Sequence, residues 1–119
     1  MHRRHKKRIL FVIDEKARRR QIETSGELAR KYECQIVRKA KEALEVLRDL
    51  TRVWHMVVVE KVEQPLAEAI LRRRNEPIVA TFTSHHQRGL NIMFVRDVDD
   101  LKNVIGFQLD SREDETPIH

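Results

Sequence analysis

The chain has 119 residues, a length that suits one domain built on one core. Its 40% hydrophobic content is too high for a disordered chain, and with only 5% aromatic residues it suits helices packed on a sheet better than an aromatic-rich β-sandwich. The 24 basic and 19 acidic residues leave a net charge of +5, a dense mixture that predicts solubility without naming a partner, and no apolar run approaches the roughly 20 residues that cross a bilayer.

Residues 1–7 form a basic arm, Met1-His2-Arg3-Arg4-His5-Lys6-Lys7, continued by Arg8. It resembles the charged start of a signal peptide in composition, but Asp14 and Glu15 interrupt the apolar stretch behind it, so a cytoplasmic location is expected. The apolar, β-branched stretch Ile9-Leu10-Phe11-Val12-Ile13 predicts a strand buried on both faces. From Lys16 to Tyr32 the residues Ile22, Ser25, Leu28, Ala29 and Tyr32 keep helical spacing, weakened in the middle by Thr24, Ser25 and Gly26. Cys34-Gln35-Ile36-Val37 predicts a second strand. Cys34 is the only cysteine, so an intrachain disulfide and a cysteine metal cluster are both excluded, and a buried, inert thiol is expected.

Ala40, Ala43, Leu44, Leu47 and Leu50 trace one face of a second helix. Val53 to Val59 predicts the third strand, ended by Glu60, with Trp54 either in the core or at an exposed edge. A third helix runs from Gln64 to Arg74, with Pro65 tolerated in its first turn and Leu66, Ala67, Ile70 and Leu71 facing inward. Pro77 opens a fourth strand, Ile78 to Phe82. The stretch from Thr83 to Gly89 allows at most a short helix, and Ile92 to Val95 predicts a fifth strand. Val98, Leu101, Val104, Ile105 and Leu109 mark a closing helix, and Ser111 to His119 reads as a mobile polar tail. Strand and helix thus alternate through one α/β domain over residues 8–110. Such a chain builds a doubly wound parallel sheet with helices on both faces and its functional crevice beyond the carboxyl ends of the strands.

The residues at those ends are Asp14 and Glu15 after the first strand, Glu60 after the third, Thr81 or Thr83 by the fourth, and Arg96 after the fifth. In this order they resemble the phosphorylation site of the receiver domain of two-component response regulators, and the resemblance spans Arg8 to Leu109. It implies a five-stranded flavodoxin-like, CheY-like (βα)5 fold with strand order 2-1-3-4-5. It also implies that Asp14 and Glu15 match the family's magnesium-binding acidic pair, that Glu60 stands at its phosphoacceptor aspartate, that Thr81 and Thr83 straddle its switch hydroxyl, and that Arg96 stands at its lysine.

The departures concern phosphoryl chemistry, which needs a short carboxylate beside a hard cation and a compact ammonium group. Glu60 carries its carboxylate one methylene further out, where it would mimic a phosphorylated residue, and Arg96 offers a fork suited to a carboxylate partner. The expectation is a standing ion-pair cluster of Asp14, Glu15, Glu60 and Arg96. Three acids against one base raise at least one carboxylate pKa unless another cation compensates. Magnesium binding is disfavoured and no cofactor is expected. The resemblance therefore implies a degenerate, phosphorylation-independent receiver: a regulatory protein-interaction module, not an enzyme, meeting a signalling partner through its fourth helix, fifth strand and fifth helix. The same surface is a candidate homodimer contact.

Two arginine clusters remain, Arg18-Arg19-Arg20 and Arg72-Arg73-Arg74. A solvated helix face is the favoured reading of both. The alternative is a small nucleic-acid-binding protein using the N-terminal arm and first helix, against which stand the scarcity of stacking aromatics and the absence of a recognised motif. His85-His86 has poor spacing for a metal, and no glycine-rich phosphate loop or nucleophile elbow is present.

Overall fold

A computed structural model describes residues 6–83 and 89–110. The elements run β1 (Arg8–Val12), α1 (Lys16–Glu23), α2 (Gly26–Lys31), β2 (Glu33–Val37), α3 (Ala40–Arg48), β3 (Met56–Val59), α4 (Gln64–Leu71), β4 (Ile78–Thr81), β5 (Ile92–Phe94) and α5 (Val98–Ile105), which continues as a π-helical turn over Gly106–Asp110. All four strand pairings are parallel and the sheet order is β2-β1-β3-β4-β5. The expected α/β architecture is present, with helices on both faces.

The two-residue period of the strands builds the two core layers. Ile9, Phe11 and Ile13 of the first strand region, with Met56 and Val58, face the layer that Ile22, Leu28, Leu101 and Ile105 close from α1, α2 and α5. Leu10, Val12, Val57, Val59 and Val79 face the other layer, closed by Ala43 and Leu47 of α3 and by Leu66 and Ile70 of α4. Each fully buried aliphatic side chain in these layers contributes roughly 1.5–3 kcal/mol of transfer free energy. The central strands are apolar on both faces because both faces are covered.

Several boundaries differ from the sequence expectation. The first helix is two helices, because Ser25 caps a new start: its Oγ accepts from the Leu28 N–H at 3.3 Å, while the Thr24 hydroxyl bonds back to the Arg20 carbonyl at 2.8 Å. Ala29, expected inward, is exposed. Helix α3 stops at Arg48, where the Asp49 side chain accepts from the Thr51 N–H and hydroxyl; Leu50 falls outside the helix and is 72% exposed, not inward. Strand β3 begins at Met56, leaving Val53 40% exposed and Trp54 in the core. Helix α4 ends at Leu71, which is partly exposed. Cys34, expected to be buried, belongs to an exposed residue of edge strand β2. Its sulfur nevertheless lies 3.7 Å from the Leu28 carbonyl, and desolvation pushes its pKa up to about 11. The sheltered sulfur, more than the overall exposure of the residue, governs its chemistry.

The expected mobile tail at 111–119, most of the basic arm and His85-His86 lie outside the described residues, as does most of the segment allotted to a short helix after β4. No helix among the described residues is long and apolar enough to cross a membrane.

Candidate functional site

Strand order reverses between β1 and β3: the chain leaves β1 for β2 on one side and returns to β3 on the other. Open parallel sheets form a crevice at this point, beyond the strands' carboxyl ends. A cleft of about 430 Å³ lies there. It is lined by Asp14, Arg38, Lys39, Glu60, Lys61 and Glu63 over an apolar floor that includes Val12 and Val59.

Glu60 organises this rim. It leaves the end of β3 and reaches across to the loop after β1, where its Oε1 accepts from the backbone N–H groups of Asp14 at 2.7 Å and Glu15 at 3.0 Å. Its Oε2 pairs with the Arg18 guanidinium at 2.8 Å. Arg18 also lies flat enough over the Phe82 ring to put its central carbon 4.1 Å from the ring centroid. Glu15 points elsewhere: its carboxylate caps α1, accepting from Ala17 N–H at 3.1 Å and Arg18 N–H at 2.8 Å. One acid thus starts the helix whose first turn delivers the cation to the other.

Asp14 faces β2. Its carboxylate takes Lys39 Nζ at 3.0 Å and Arg38 Nη2 at 3.5 Å. The hydrogen bond from Lys39, aided by the charges of Lys39 and Arg38 and opposed by slight desolvation, holds its pKa below the ordinary aspartate value. Both threonines converge on the Glu60 backbone. The Thr83 hydroxyl donates to the Glu60 carbonyl at 2.7 Å, and the buried Thr81 hydroxyl lies 3.3 Å from the same oxygen while accepting from the Thr83 N–H at 3.2 Å.

The expected single cluster of three acids around Arg96 does not form. Arg96 is exposed, its backbone N–H bonds to the Asp100 carboxylate at 3.0 Å beside the start of α5, and no ion pair joins it to Glu60. The physical reason is reach: the longer glutamate side chain extends to the β1 loop and α1, so Arg18 takes the position assigned to Arg96. The cations that answer the acids are Arg18 for Glu60 and Lys39 with Arg38 for Asp14. Arg38 and Lys39 went unnoticed in the sequence although they follow β2 directly, as the other rim residues follow their own strands.

Among the described residues no group of His, Cys, Asp and Glu is placed to hold a metal ion; the three acids are directed at separate donors. The arginine clusters are not uniform solvated faces either. Arg19 folds back to the Asp14 carbonyl at 3.0 Å and pairs with Glu23 at 3.7 Å, leaving Arg20 exposed. Arg72 and Arg74 are exposed, but Arg73 is only 8% exposed, donating to the Leu47 carbonyl at 2.6 Å and to the Arg52 carbonyl, and burial lowers its pKa. Compared with known proteins, the chain matches no family model, no curated protein and no solved structure.

Proposed function

We propose that this chain is a phosphorylation-independent, receiver-like signalling module of flavodoxin-like fold that acts by binding a regulatory protein and catalyses no reaction. The observation that carries this reading is the occupancy of Glu60. A carboxylate that accepts a phosphoryl group must present a free oxygen to the donor beside a cation that screens the incoming charge. Here one oxygen is held by two backbone amides and the other by a guanidinium. The side chain thereby performs, permanently, the tethering of β1 loop to β3 end that a bound anion would perform transiently. The rim is then fixed in one state, as an adaptor without a phosphate input requires.

The β5 edge supports reading a partner surface there. This short strand ends the sheet, and Phe94 on it is 52% exposed, an aromatic at a sheet edge. The segment assigned to the fourth helix of that surface lies largely outside the described residues. The nucleic-acid alternative is weakened at the first helix, where Arg18 and Arg19 are engaged by Glu60 and Glu23.

The test is a titration of the ¹⁵N-labelled protein with magnesium and beryllofluoride, which mimics a phosphoryl group. Unmoved amide resonances at Asp14, Glu15 and Thr83 support the proposal. Saturable shifts there, or a base- and hydroxylamine-labile phosphoryl label transferred from acetyl phosphate to Glu60 with release of acetate, overturn it.

A further inference from the structure

The amino edge of the sheet, opposite the Glu60 rim, carries a second constellation. Helices α3 and α4 cover the same face of the sheet and both end at this edge, α3 at Arg48 and α4 at Leu71, before the chain turns back into β3 and β4. Beside these two return segments opens a cleft of about 510 Å³. Four of its seven lining residues, Arg52, Arg72, Arg73 and Arg74, are arginines, and none is acidic. Leu50 and Val53 line it as well and are 72% and 40% exposed, although aliphatic side chains gain by leaving water.

Internal bonds fix the shape of this cleft. Arg73 is 8% exposed, and its guanidinium donates to the Leu47 carbonyl at 2.6 Å and to the Arg52 carbonyl, so it clamps the segment between α3 and β3 against the end of α4. Within that segment the Asp49 carboxylate accepts from the Thr51 N–H and hydroxyl, closing the turn that leaves Leu50 outside. Leu50, Arg52 and Val53 thus sit on a braced loop, where a ligand meets little ordering cost.

The positive charge is incompletely answered. Arg52 lies 3.8 Å from Asp49 in a half-exposed pair, and Arg73 is met by carbonyl oxygens. Arg72 and Arg74 are exposed and form no ion pair among the described residues. Cations are favoured at helix carboxyl ends, which accounts for arginines directly after α4. It does not account for two exposed aliphatic side chains among them. A ligand with both carboxylates and an apolar group answers both features, the guanidinium forks taking the carboxylates and Leu50 and Val53 the apolar group.

We propose that this cleft is a docking site for an acidic segment of another protein, one that sets a pair of carboxylates beside an aliphatic side chain. The carboxylates pair with Arg52, Arg72 and Arg74, and the aliphatic side chain packs on Leu50 and Val53. Other polyanions fit less well. A nucleic acid leaves Leu50 and Val53 without an aliphatic partner, and no aromatic residue lines the cleft for a base to stack on. Membrane surfaces take up the apolar face of an amphipathic helix, whereas Leu50 and Val53 belong to an irregular segment beside a concavity. The cleft lies at the far edge of the sheet from Glu60, so this inference adds a second contact surface and does not rest on the reading of the rim.

The test uses the full chain, labelled at backbone nitrogen and methyl carbon, and two short synthetic peptides. One is built of glutamates around a central pair of leucines, and the other carries serines in place of the leucines. Single-stranded oligouridine and vesicles containing phosphatidylserine are the competing anions. The leucine peptide is expected to shift the Arg52, Val53 and Arg74 amides and the Leu50 methyls saturably, leaving the Asp14 and Glu15 amides unmoved. Its affinity should fall about tenfold in a variant carrying Arg72→Gln and Arg74→Gln, and several-fold in Leu50→Ser or when salt is raised. The three replaced side chains are exposed, so the rest of each variant's amide spectrum should match the parent.

Absence of saturable shifts at millimolar peptide overturns the proposal, as does an unchanged affinity in the arginine variant. Equal affinity for the serine peptide overturns it too, since charge alone would then suffice. A tighter response of the same resonances to oligouridine or to vesicles gives the cleft to those partners instead, and shifts that follow protein concentration without peptide give it to a second copy. None of these readings involves beryllofluoride or Glu60, so the two proposals stand or fall separately.

Discussion

Glu60 and Arg18 meet at 2.8 Å, one at the end of β3 and the other in the first turn of α1, and through them the loop after β1 is held to the third strand. Both side chains are about three-quarters buried, so the pair is better sheltered than the other ion pairs of this rim. Its loss should register in stability as well as in local order.

Glu60→Gln keeps the shape of the side chain but removes its charge and one acceptor oxygen. Hydrogen bonds to a charged group are worth about 1.5–3 kcal/mol, and partial solvation at this rim brings the expected loss to about 1–2 kcal/mol. Urea unfolding measures it. A double-mutant cycle with Arg18→Gln should return a coupling of about 1 kcal/mol, whereas the cycle of Glu60→Gln with Arg96→Gln should return none. Coupling at Arg96 in place of Arg18 contradicts the geometry described here.

Arg73 links the end of α3 to the segment before β3 from a buried position. Arg73→Ala strands the Leu47 carbonyl and opens a void, with an expected cost of about 2–4 kcal/mol in chemical denaturation. Arg73→Lys should recover only part, because a single ammonium cannot reproduce two bonds from a planar fork. Equal stability of the lysine variant and the parent would contradict the two-carbonyl geometry.

The acid limb of stability should contain a contribution from Asp14. Its folded pKa is lowered, chiefly by the Lys39 hydrogen bond, so the stabilisation is fully present above the unfolded aspartate value and disappears as pH falls through the lowered folded value. NMR titration of the Asp14 side-chain carbonyl should show the depressed midpoint, and Lys39→Ala should move it upward. An unchanged midpoint in that variant removes Lys39 as the cause.

Cys34 should react slowly with thiol reagents at neutral pH. Desolvation puts its pKa at about 11, so the thiolate that performs the attack is scarce until the solution is strongly alkaline. Labelling rates followed against pH should climb through the usual cysteine range without levelling. A plateau near the ordinary thiol value would show that the sulfur is fully solvated.

Much of the architecture could be read from the residues in order. The doubly apolar runs at Ile9–Ile13 and Met56–Val59 announce central strands, and the spacing of Ala43, Leu47, Leu66, Ala67 and Ile70 announces the helices that cover one face. Ser25 was one exception: its polarity weakened a predicted helix when in fact it starts a new one, since the same hydroxyl that disfavours a helix interior caps a helix start.

The sequence by itself determined most of the acids and hydroxyls that gather at the rim, because parallel strands all run in one direction and so bring their carboxyl ends to the same edge of the sheet. Asp14, Glu15, Glu60, Thr81 and Thr83 follow from that rule. Which cation answers which acid was decided only by the tertiary structure. Arg18, Arg38 and Arg96 all lie within a few residues of a strand end, and only the rotation of α1 and the length of the Glu60 side chain separate the partner at 2.8 Å from the arginine that remains exposed. Pairing among like side chains depends on distances of a few ångströms in three dimensions, and those distances are set by packing far along the chain.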